Sequence, residues 1–437
     1  MSQRAPLTVV EKEQIVQARG QGKTLAEIAV ALHCSRACVR KWWRQHGAEG
    51  RKGLRARRRG RGPSGLLAGI DARVRATALR LKRAHPGWGA DRVMIELQDD
   101  QRLRKLRLPH RSQLTAFFKR CCPDCVKTYR PAPAPVARPA AATGVHEQWQ
   151  LDCQEGLRLR NGHVATLCNI RDPVGAAMIA SQAFQVTTAR HWRKLSWTEV
   201  RQVLRSAFCE WKTLPDSVQT DNELGLAGAP TDLFPSRLTL WLMGLGIKHR
   251  FIRPGQPTDQ PHIERAHRTL DGLALGGQAL ANRVRLQRSL DAERVVYNQR
   301  FPARASDCAG RPPLVAHPEL LCPRRPYQVE WELALFEIQR VYAYLATFVF
   351  TRKVNSGGQI SLGRVLYSLG RKFAGQCVKV RFDPARQEWV STTTSESEDQ
   401  VIRRPLQSLD IQELTGLDPV AQRHMPPVQL AFPGFVA

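Results

Sequence analysis

Three carboxylates of this 437-residue chain stand where apolar segments end or are interrupted. Asp152 interrupts the alternating run "EQWQLDCQ", Asp221 follows "SVQT", and Glu264 lies in "PHIERAHRTL" near the expected start of a helix. Adjacent carboxylates repel one another unless cations lie between them. Two Mg²⁺ ions about 4 Å apart can activate an attacking oxygen and stabilise a leaving oxygen in phosphoryl transfer, and such hard cations prefer oxygen ligands. Brought together, the three residues could form a two-metal site.

The segments between these carboxylates predict an α/β domain over residues 146–304. Three strands come first, and Asn161-Gly162 is a strong hairpin signal between the first two. Ser196 can cap a long helix, which is followed by strand, helix, strand and helix. This order indicates a mixed sheet with helices packed on it. Asp152 then lies on the first strand, Asp221 at the end of the fourth, and Glu264 on a helix beside them.

Residues 1–48 predict a helix-turn-helix domain. Capping boxes at Thr8 and Thr24, and Ser35 before "RACVRKWWRQH", mark the starts of three helices. The third helix should turn Val39, Trp42 and Trp43 inward. Its opposite face should be basic, as in the helix that such domains place in the major groove. An ordinary three-helix bundle with a solvated basic face is the alternative.

A Gly/Arg-rich linker over 49–68 follows and is expected to lie along a phosphate backbone or in a minor groove. The predicted DNA-binding residues of the helix and linker are Arg36, Arg40, Lys41, Arg44, Arg51, Arg57, Arg58 and Arg59.

The composition favours a polyanionic partner. Lys and Arg total 67 against 38 Asp and Glu, giving a formal net charge of +29. Such a surplus typically serves nucleic-acid binding. There is neither an apolar run of about 18 residues nor a signal segment, so we expect a soluble intracellular protein. The scattered cysteines fit reduced thiols, and the pair Cys122 and Cys125 would need two further ligands to bind zinc.

The remaining segments predict smaller modules. Residues 69–129 form a second helical DNA-binding domain, 130–145 a stiff Pro/Ala linker, and 305–335 another linker. Residues 336–410 alternate in short strands with turns at "NSGG" and "FDPARQ", which predicts a small antiparallel β-barrel before a tail over 411–437. The barrel would bind DNA or a neighbouring subunit, unless it is only structural.

The segments "WQLD", "QTDNE" and "GIKHRFIRPGQPTDQPHIERAHRTL" resemble the catalytic core of insertion-sequence transposases and retroviral integrases over about residues 147–300. The resemblance implies a ribonuclease-H-like fold. It also implies that Asp152, Asp221 and Glu264 are the catalytic triad, which binds two Mg²⁺ ions for which Mn²⁺ can substitute. The helical units in front resemble those that bind an element's terminal repeats, and the C-terminal strands resemble the barrel of Mu-type transposases.

The implied activity is cleavage of DNA at element ends and joining of the 3′ hydroxyls to target DNA. The implied partners are the terminal repeats and target as double-stranded DNA, a homo-oligomer on paired ends, and an ATPase helper in some relatives. The implied location is the prokaryotic cytoplasm, at the nucleoid. A domesticated or catalytically inactive sequence-specific DNA-binding protein is the alternative. A plain nuclease would need neither the helix-turn-helix units nor the barrel.

The sequence departs from the family pattern at two loops. Glu223 stands where the family usually has glycine, and Gln260-Pro261 stands where it usually has Asn-Gly. Asp221 and Glu264 are 43 positions apart, which is longer than usual, and the extra length falls in "LAGAPTDLFPS". These changes affect loop geometry more than the triad.

Other polar residues near the motifs have competing interpretations. Glu223 and Asp259 are the substitutes if Glu264 is not the third ligand. Asp172 is expected to be a turn residue after the second strand. His262 and His267 flank the site, and we expect them to contact DNA phosphates rather than metal.

Overall fold

The computed structural model describes residues 7–54, 67, 69–126, 142–188, 193–221, 234–252, 261–393 and 400–418. The chain divides into two compact units, Met1–Gly69 and Ile70–Ala437. Within the described residues, no helix is both long enough and apolar enough to cross a bilayer.

The first unit is helical, and its helices begin where the capping residues predict. They are α1 (Val9–Gly20), α2 (Leu25–Ala31) and α3 (Arg36–Glu49), followed by a 3₁₀ turn over Gly50–Leu54. The side chains of Thr8, Thr24 and Ser35 each accept a hydrogen bond from a backbone N–H of the helix that they precede.

The core of this unit is small, and it accommodates only part of the predicted inward face of α3. Val39 is fully buried beside Ile15 and Ile28, and Trp42 packs against this cluster. The prediction that Trp43 faces inward is wrong, because 37% of it is exposed. Its ring instead packs against the Arg19 guanidinium, whose carbon lies 5.7 Å from the ring centroid.

The second unit contains the remaining described elements. Its helices are α4 (Ala72–Ala84), α5 (Ala90–Asp99), α6 (Arg111–Cys121), α7 (Trp197–Trp211), α8 (Arg237–Gly244), α9 (Pro261–Ala274), α10 (Arg283–Gln299), α11 (Pro313–Ala316), α12 (Glu332–Leu335), α13 (Ile338–Ala346) and α14 (Ile411–Thr415). Its strands are β1 (Gln148–Arg158), β2 (His163–Arg171), β3 (Met178–Thr188), β4 (Ser217–Thr220), β5 (Lys248–Phe251), β6 (Val349–Lys353), β7 (Gln359–Leu362), β8 (Val365–Ser368), β9 (Cys377–Asp383), β10 (Glu388–Thr393) and β11 (Gln400–Pro405).

The central sheet is mixed, as predicted. Its order is β3-β2-β1-β4-β5, in which β1 is antiparallel to β2 and parallel to β4. Gly162 makes the β1–β2 turn with φ +82°, a conformation that favours glycine. Trp149 and Leu151 on β1 join the apolar core that includes residues of α7 and α8. Because side chains alternate along a strand, Gln150 and Asp152 point to the other face, which α9 and α10 cover.

Helices α4–α6 belong to the second unit, and α5 with the turn before it docks onto α9 and α10. Trp88 Nε1 donates to the carbonyl oxygen of Leu273, at 3.0 Å. Arg92 Nε and Nη2 donate to the two carboxylate oxygens of Glu293, at 2.9 and 2.8 Å, in a buried ion pair. Gly87 lies so close to this surface that an added Cβ would come within 2.8 Å of the Gly272 carbonyl oxygen. DNA binding by these helices, and the boundaries of the smaller domains, stay predictions.

A buried carboxylate fixes the segment that follows α10 against the central domain. The Glu332 side chain is fully buried, and its oxygens accept hydrogen bonds from Arg205 Nε and Nη2, Trp241 Nε1 and the Tyr327 hydroxyl at 2.6–2.9 Å. Arg205 lies on α7 and Trp241 on α8. One side chain therefore joins three elements that are far apart in sequence.

The C-terminal strands form two antiparallel sheets, of order β11-β10-β9-β6 and β7-β8. They enclose a shared core with Phe350, Tyr367 and Trp389. The described strands do not close into the predicted barrel, since side chains rather than a backbone ladder connect the two sheets. Arg352 on β6 donates to the Ser361 carbonyl oxygen at 3.0 Å, and Arg404 on β11 donates to that of Ser368 at 2.6 Å.

Candidate functional site

The parallel register of β1 and β4 brings Asp152 and Asp221 side by side. Gln150 pairs with Gln219, and two residues further along each chain stand Asp152 and Asp221. Gln150 Nε2 donates to Gln219 Oε1 at 3.1 Å, so these two side chains share one face of the sheet. Alternation places Asp152 on that same face.

Glu264 approaches this face from the first turn of α9, where its side chain is exposed. Burial, and after it the negative charges of Asp221 and Glu264, raise the pKa of Asp152 to about 7, while the hydrogen bond from the Cys153 backbone N–H acts in the opposite direction. The charge of Glu155 also raises the pKa of Asp152, by a smaller amount. The structure thus places the other two predicted site residues, Asp221 and Glu264, within electrostatic reach of Asp152. Glu155 was missed from the sequence, because a spacing of three residues along a regular strand places two side chains on opposite faces.

The cluster is not a preformed metal cage. In the part of the chain that the structure describes, no three His, Cys, Asp or Glu side chains stand in an arrangement that could hold a metal ion. The substitutes Glu223 and Asp259 lie outside the described residues.

The Asp152 carboxylate has a distinct neighbour for each oxygen. Oδ1 accepts a hydrogen bond from the backbone N–H of Cys153 at 2.9 Å. Oδ2 lies 3.6 Å from Nδ1 of His267 on α9. Burial, and secondarily the charge of Arg171, lower the pKa of His267 to about 4, so its ring is neutral near pH 7.

The expectation that His267 contacts DNA phosphates is wrong, because only 8% of the residue is exposed. It falls on the buried face of α9 together with Ile263, Ala266 and Leu270. That helical spacing was the available signal in the sequence. The side chain of His262 lies outside what the structure describes.

Asp172 shapes the turn between β2 and β3, as predicted. It is fully buried, and Oδ1 accepts hydrogen bonds from the backbone N–H groups of Val174 and Gly175 at 2.9 and 2.8 Å. Oδ2 accepts from the backbone N–H of His146 at 2.6 Å. Burial raises the pKa of this carboxyl. All three contacts are to backbone, so its role here is structural.

The exposed face of α3 carries the predicted basic residues. Arg36, Arg40, Lys41 and Arg44 are all exposed, and the last three line a shallow concavity with Ala37 and Gln45. Arg51 is also exposed and pairs with Glu13 of α1 at 2.9 Å. Arg57, Arg58 and Arg59 lie outside the described residues. The concavity has the positive charge that a phosphate backbone requires.

Replacing Arg40 by alanine should weaken binding of duplex DNA about 10-fold at 0.1 M salt. Each phosphate contact releases counterions that are condensed on the DNA, so losing one contact removes that favourable contribution to binding. The slope of log K against log salt should also become shallower by about 1. Fluorescence anisotropy over a salt series measures both quantities. Lys23→Ala makes the same charge change in the turn before α2 and should have little effect. Equal losses for the two variants would contradict specific use of α3.

Residues 11–62 match a protein family described as a helix-turn-helix domain. Among solved structures, the chain is similar to a chain in the cryo-EM structure of the simian T-cell lymphotropic virus intasome in complex with PP2A regulatory subunit B56 gamma, with a TM-score of 0.31 and 13% sequence identity. That similarity covers 75% of this chain and 95% of the other. The first unit therefore contains a helix-turn-helix domain, which implies DNA binding.

Proposed function

We propose that this protein is a DNA transposase of the integrase type. Its helix-turn-helix domain would bind element ends, and Asp152, Asp221 and Glu264 would be the catalytic residues. The observation that carries the proposal is the meeting of Asp152 and Asp221 on neighbouring parallel strands, with Glu264 on the helix above them. The resemblance of the three motifs to transposase cores supports the same assignment.

The carboxylate cluster fits a divalent cation by its chemistry. All three candidate ligands are carboxylates, the donors that Mg²⁺ and Mn²⁺ prefer. The charges of Asp221 and Glu264 disfavour ionisation of Asp152, and a bound cation would reverse that effect. In the metal-free protein, repulsion among the three carboxylates also opposes their assembly into a preformed metal site. When bound, two Mg²⁺ ions would activate the attacking oxygen and stabilise charge on the leaving oxygen.

The rest of the chain would position the DNA. The exposed arginines of α3 would hold phosphates and base edges of the terminal repeat, and the surplus of basic residues would bind the flanking duplex. We further propose that the mixed sheet is ribonuclease-H-like and that the two C-terminal sheets act as a barrel-type module for DNA or a neighbouring subunit. A homo-oligomer on paired ends, an ATPase helper and a nucleoid location complete the proposal.

The test is Mn²⁺-dependent nicking of duplexes that carry the sequences flanking the gene of this protein. Wild-type protein should nick at a defined position and leave a 3′ hydroxyl, and Asp221→Asn should bind the same DNA without nicking it. Specific binding with no nicks from either protein would refute catalysis and leave the DNA-binding protein as the function. Nicking that persists in Asp221→Asn would refute the site.

A further inference from the structure

Two buried polar side chains beside Asp152 each carry one nitrogen that has no hydrogen-bond partner within the described ranges. Asn169 is 1% exposed and lies directly across from Asp152 in the β1–β2 register. Ser181, its cross-strand partner on β3, donates its hydroxyl to Asn169 Oδ1 at 2.6 Å. Among the residues that the structure describes, the amide nitrogen of Asn169 has no hydrogen-bond partner. With its oxygen engaged on the β3 side, the amide leaves its N–H groups for the β1 side, where Asp152 lies.

His267 approaches the same carboxylate from α9. Its Nδ1 is 3.6 Å from Asp152 Oδ2, and its Nε2 is buried with no hydrogen-bond partner in the described part of the chain. A neutral imidazole carries one proton, on one of its two nitrogens. The carboxylate favours that proton on Nδ1, because a proton on Nε2 would be buried with no acceptor. The separation of 3.6 Å is slightly longer than a hydrogen bond, so a shift of a few tenths of an ångström would let Nδ1 donate to Asp152.

The backbone and the packing hold His267 in place independently of Asp152. It lies one turn after Glu264 on α9, flanked on the buried face by Ala266 and Leu270. Asp152, in contrast, has a side chain that is 24% exposed and is held otherwise by the N–H of Cys153. The firmly packed His267 ring can therefore orient the less constrained Asp152 carboxylate.

We propose that His267 is a positioning residue, which donates from Nδ1 to Asp152 Oδ2 and, with the Asn169 amide, holds that carboxylate facing Asp221 and Glu264. The proposal rests on the proposed function, since the carboxylate that it orients is the predicted metal ligand. Residues that hydrogen-bond to a metal ligand without touching the metal typically contribute to metal affinity, and replacing one weakens metal binding about 10- to 100-fold. His267 itself stays behind the carboxylate and does not contact substrate.

The test compares His267→Asn with His267→Gln in the full-length protein. The amide nitrogen of asparagine can occupy the place of Nδ1, and that of glutamine reaches the place of Nε2 instead. Mn²⁺ binding in the absence of DNA is measured by titration calorimetry, with Asp152→Asn to identify the heat that belongs to this site. Melting temperatures in chelator show that both variants are folded.

We expect His267→Asn to bind Mn²⁺ within about 3-fold of wild type and His267→Gln to bind about 10-fold or more weakly. The Mn²⁺ concentration for half-maximal nicking should shift in parallel, while the nicking rate at saturating Mn²⁺ changes less. Equal affinities for wild type and His267→Gln, or equal losses in both variants, would overturn the role of Nδ1 and leave the catalytic site standing. Identical titrations of wild type and Asp152→Asn would refute the metal site and this proposal with it.

Discussion

Asp152→Asn should lower the rate of strand cleavage by about 10³-fold or more. The same substitution should make the metal-free protein more stable at pH 8. Cleavage is lost because the amide cannot replace a carboxylate as a metal ligand. Stability rises because the folded protein holds Asp152 ionised at pH 8, although burial and then the charges of Asp221 and Glu264 raise its pKa to about 7. At pH 8 that charge destabilises the fold, and removing it should gain on the order of 2 kcal/mol.

The pH dependence of this gain has a definite sign. Because the folded-state pKa of Asp152 is raised above its ordinary value, the stability contributed by the protonated carboxyl is present in full below about pH 4 and is lost as the pH rises through about 7. The gain in the variant should therefore be large at pH 8 and shrink towards pH 5. Thermal unfolding in chelator at the two pH values measures it. An equal effect of Asp152→Asn at both pH values would contradict the electrostatic cause.

Glu332→Ala should lower the free energy of unfolding of the second unit by about 3–5 kcal/mol, because it leaves a buried cation without its partner. Arg205 would lose both of its bonds to this carboxylate, and Trp241 Nε1 and the Tyr327 hydroxyl would each lose a buried acceptor. Arg205 also donates to the Thr415 carbonyl oxygen at 2.6 Å, so the docking of α14 should weaken together with the core.

Urea unfolding followed by tryptophan fluorescence measures this loss, since Trp241 lies in the affected region. Glu337→Ala is the matched control, because Glu337 is an exposed carboxylate that pairs with Arg340 on the surface. Exposed pairs contribute about 0–1 kcal/mol, so this variant should unfold almost as wild type does. A loss below about 1 kcal/mol for Glu332→Ala would mean that the network contributes little.

The features that the sequence predicted well depend on contacts within a few residues. The caps of α1, α2 and α3 and the Asn161-Gly162 turn are set by side-chain oxygens and a positive φ close by in the chain. The mixed order of the central sheet followed from the alternation of strands and helices. The placing of Asp152 beside Asp221 depends instead on the parallel pairing of β1 with β4, which are distant in sequence.

The features that escaped prediction depend on residues distant in sequence. The docking of α5 depends on Arg92 meeting Glu293, and the network around Glu332 joins residues from α7, α8 and the segment after α10. His267 was assigned to DNA because it flanks the predicted site, although its position among Ile263 and Leu270 already indicated a buried face. Helical periodicity shows which face of a helix is buried, but it does not show which polar group a residue on that face will contact.

The connection between the two C-terminal sheets limits how firmly this module resists deformation. Arg352 and Arg404 join the sheets through single side chains, and the described strands share no backbone ladder across either seam. The β7–β8 hairpin is held to the four-stranded sheet chiefly by packing, because Ile360, Leu362 and Tyr367 are almost fully buried in the shared core. Its attachment therefore depends on the hydrophobic core, whereas β9 and β10 are also joined by a continuous backbone ladder.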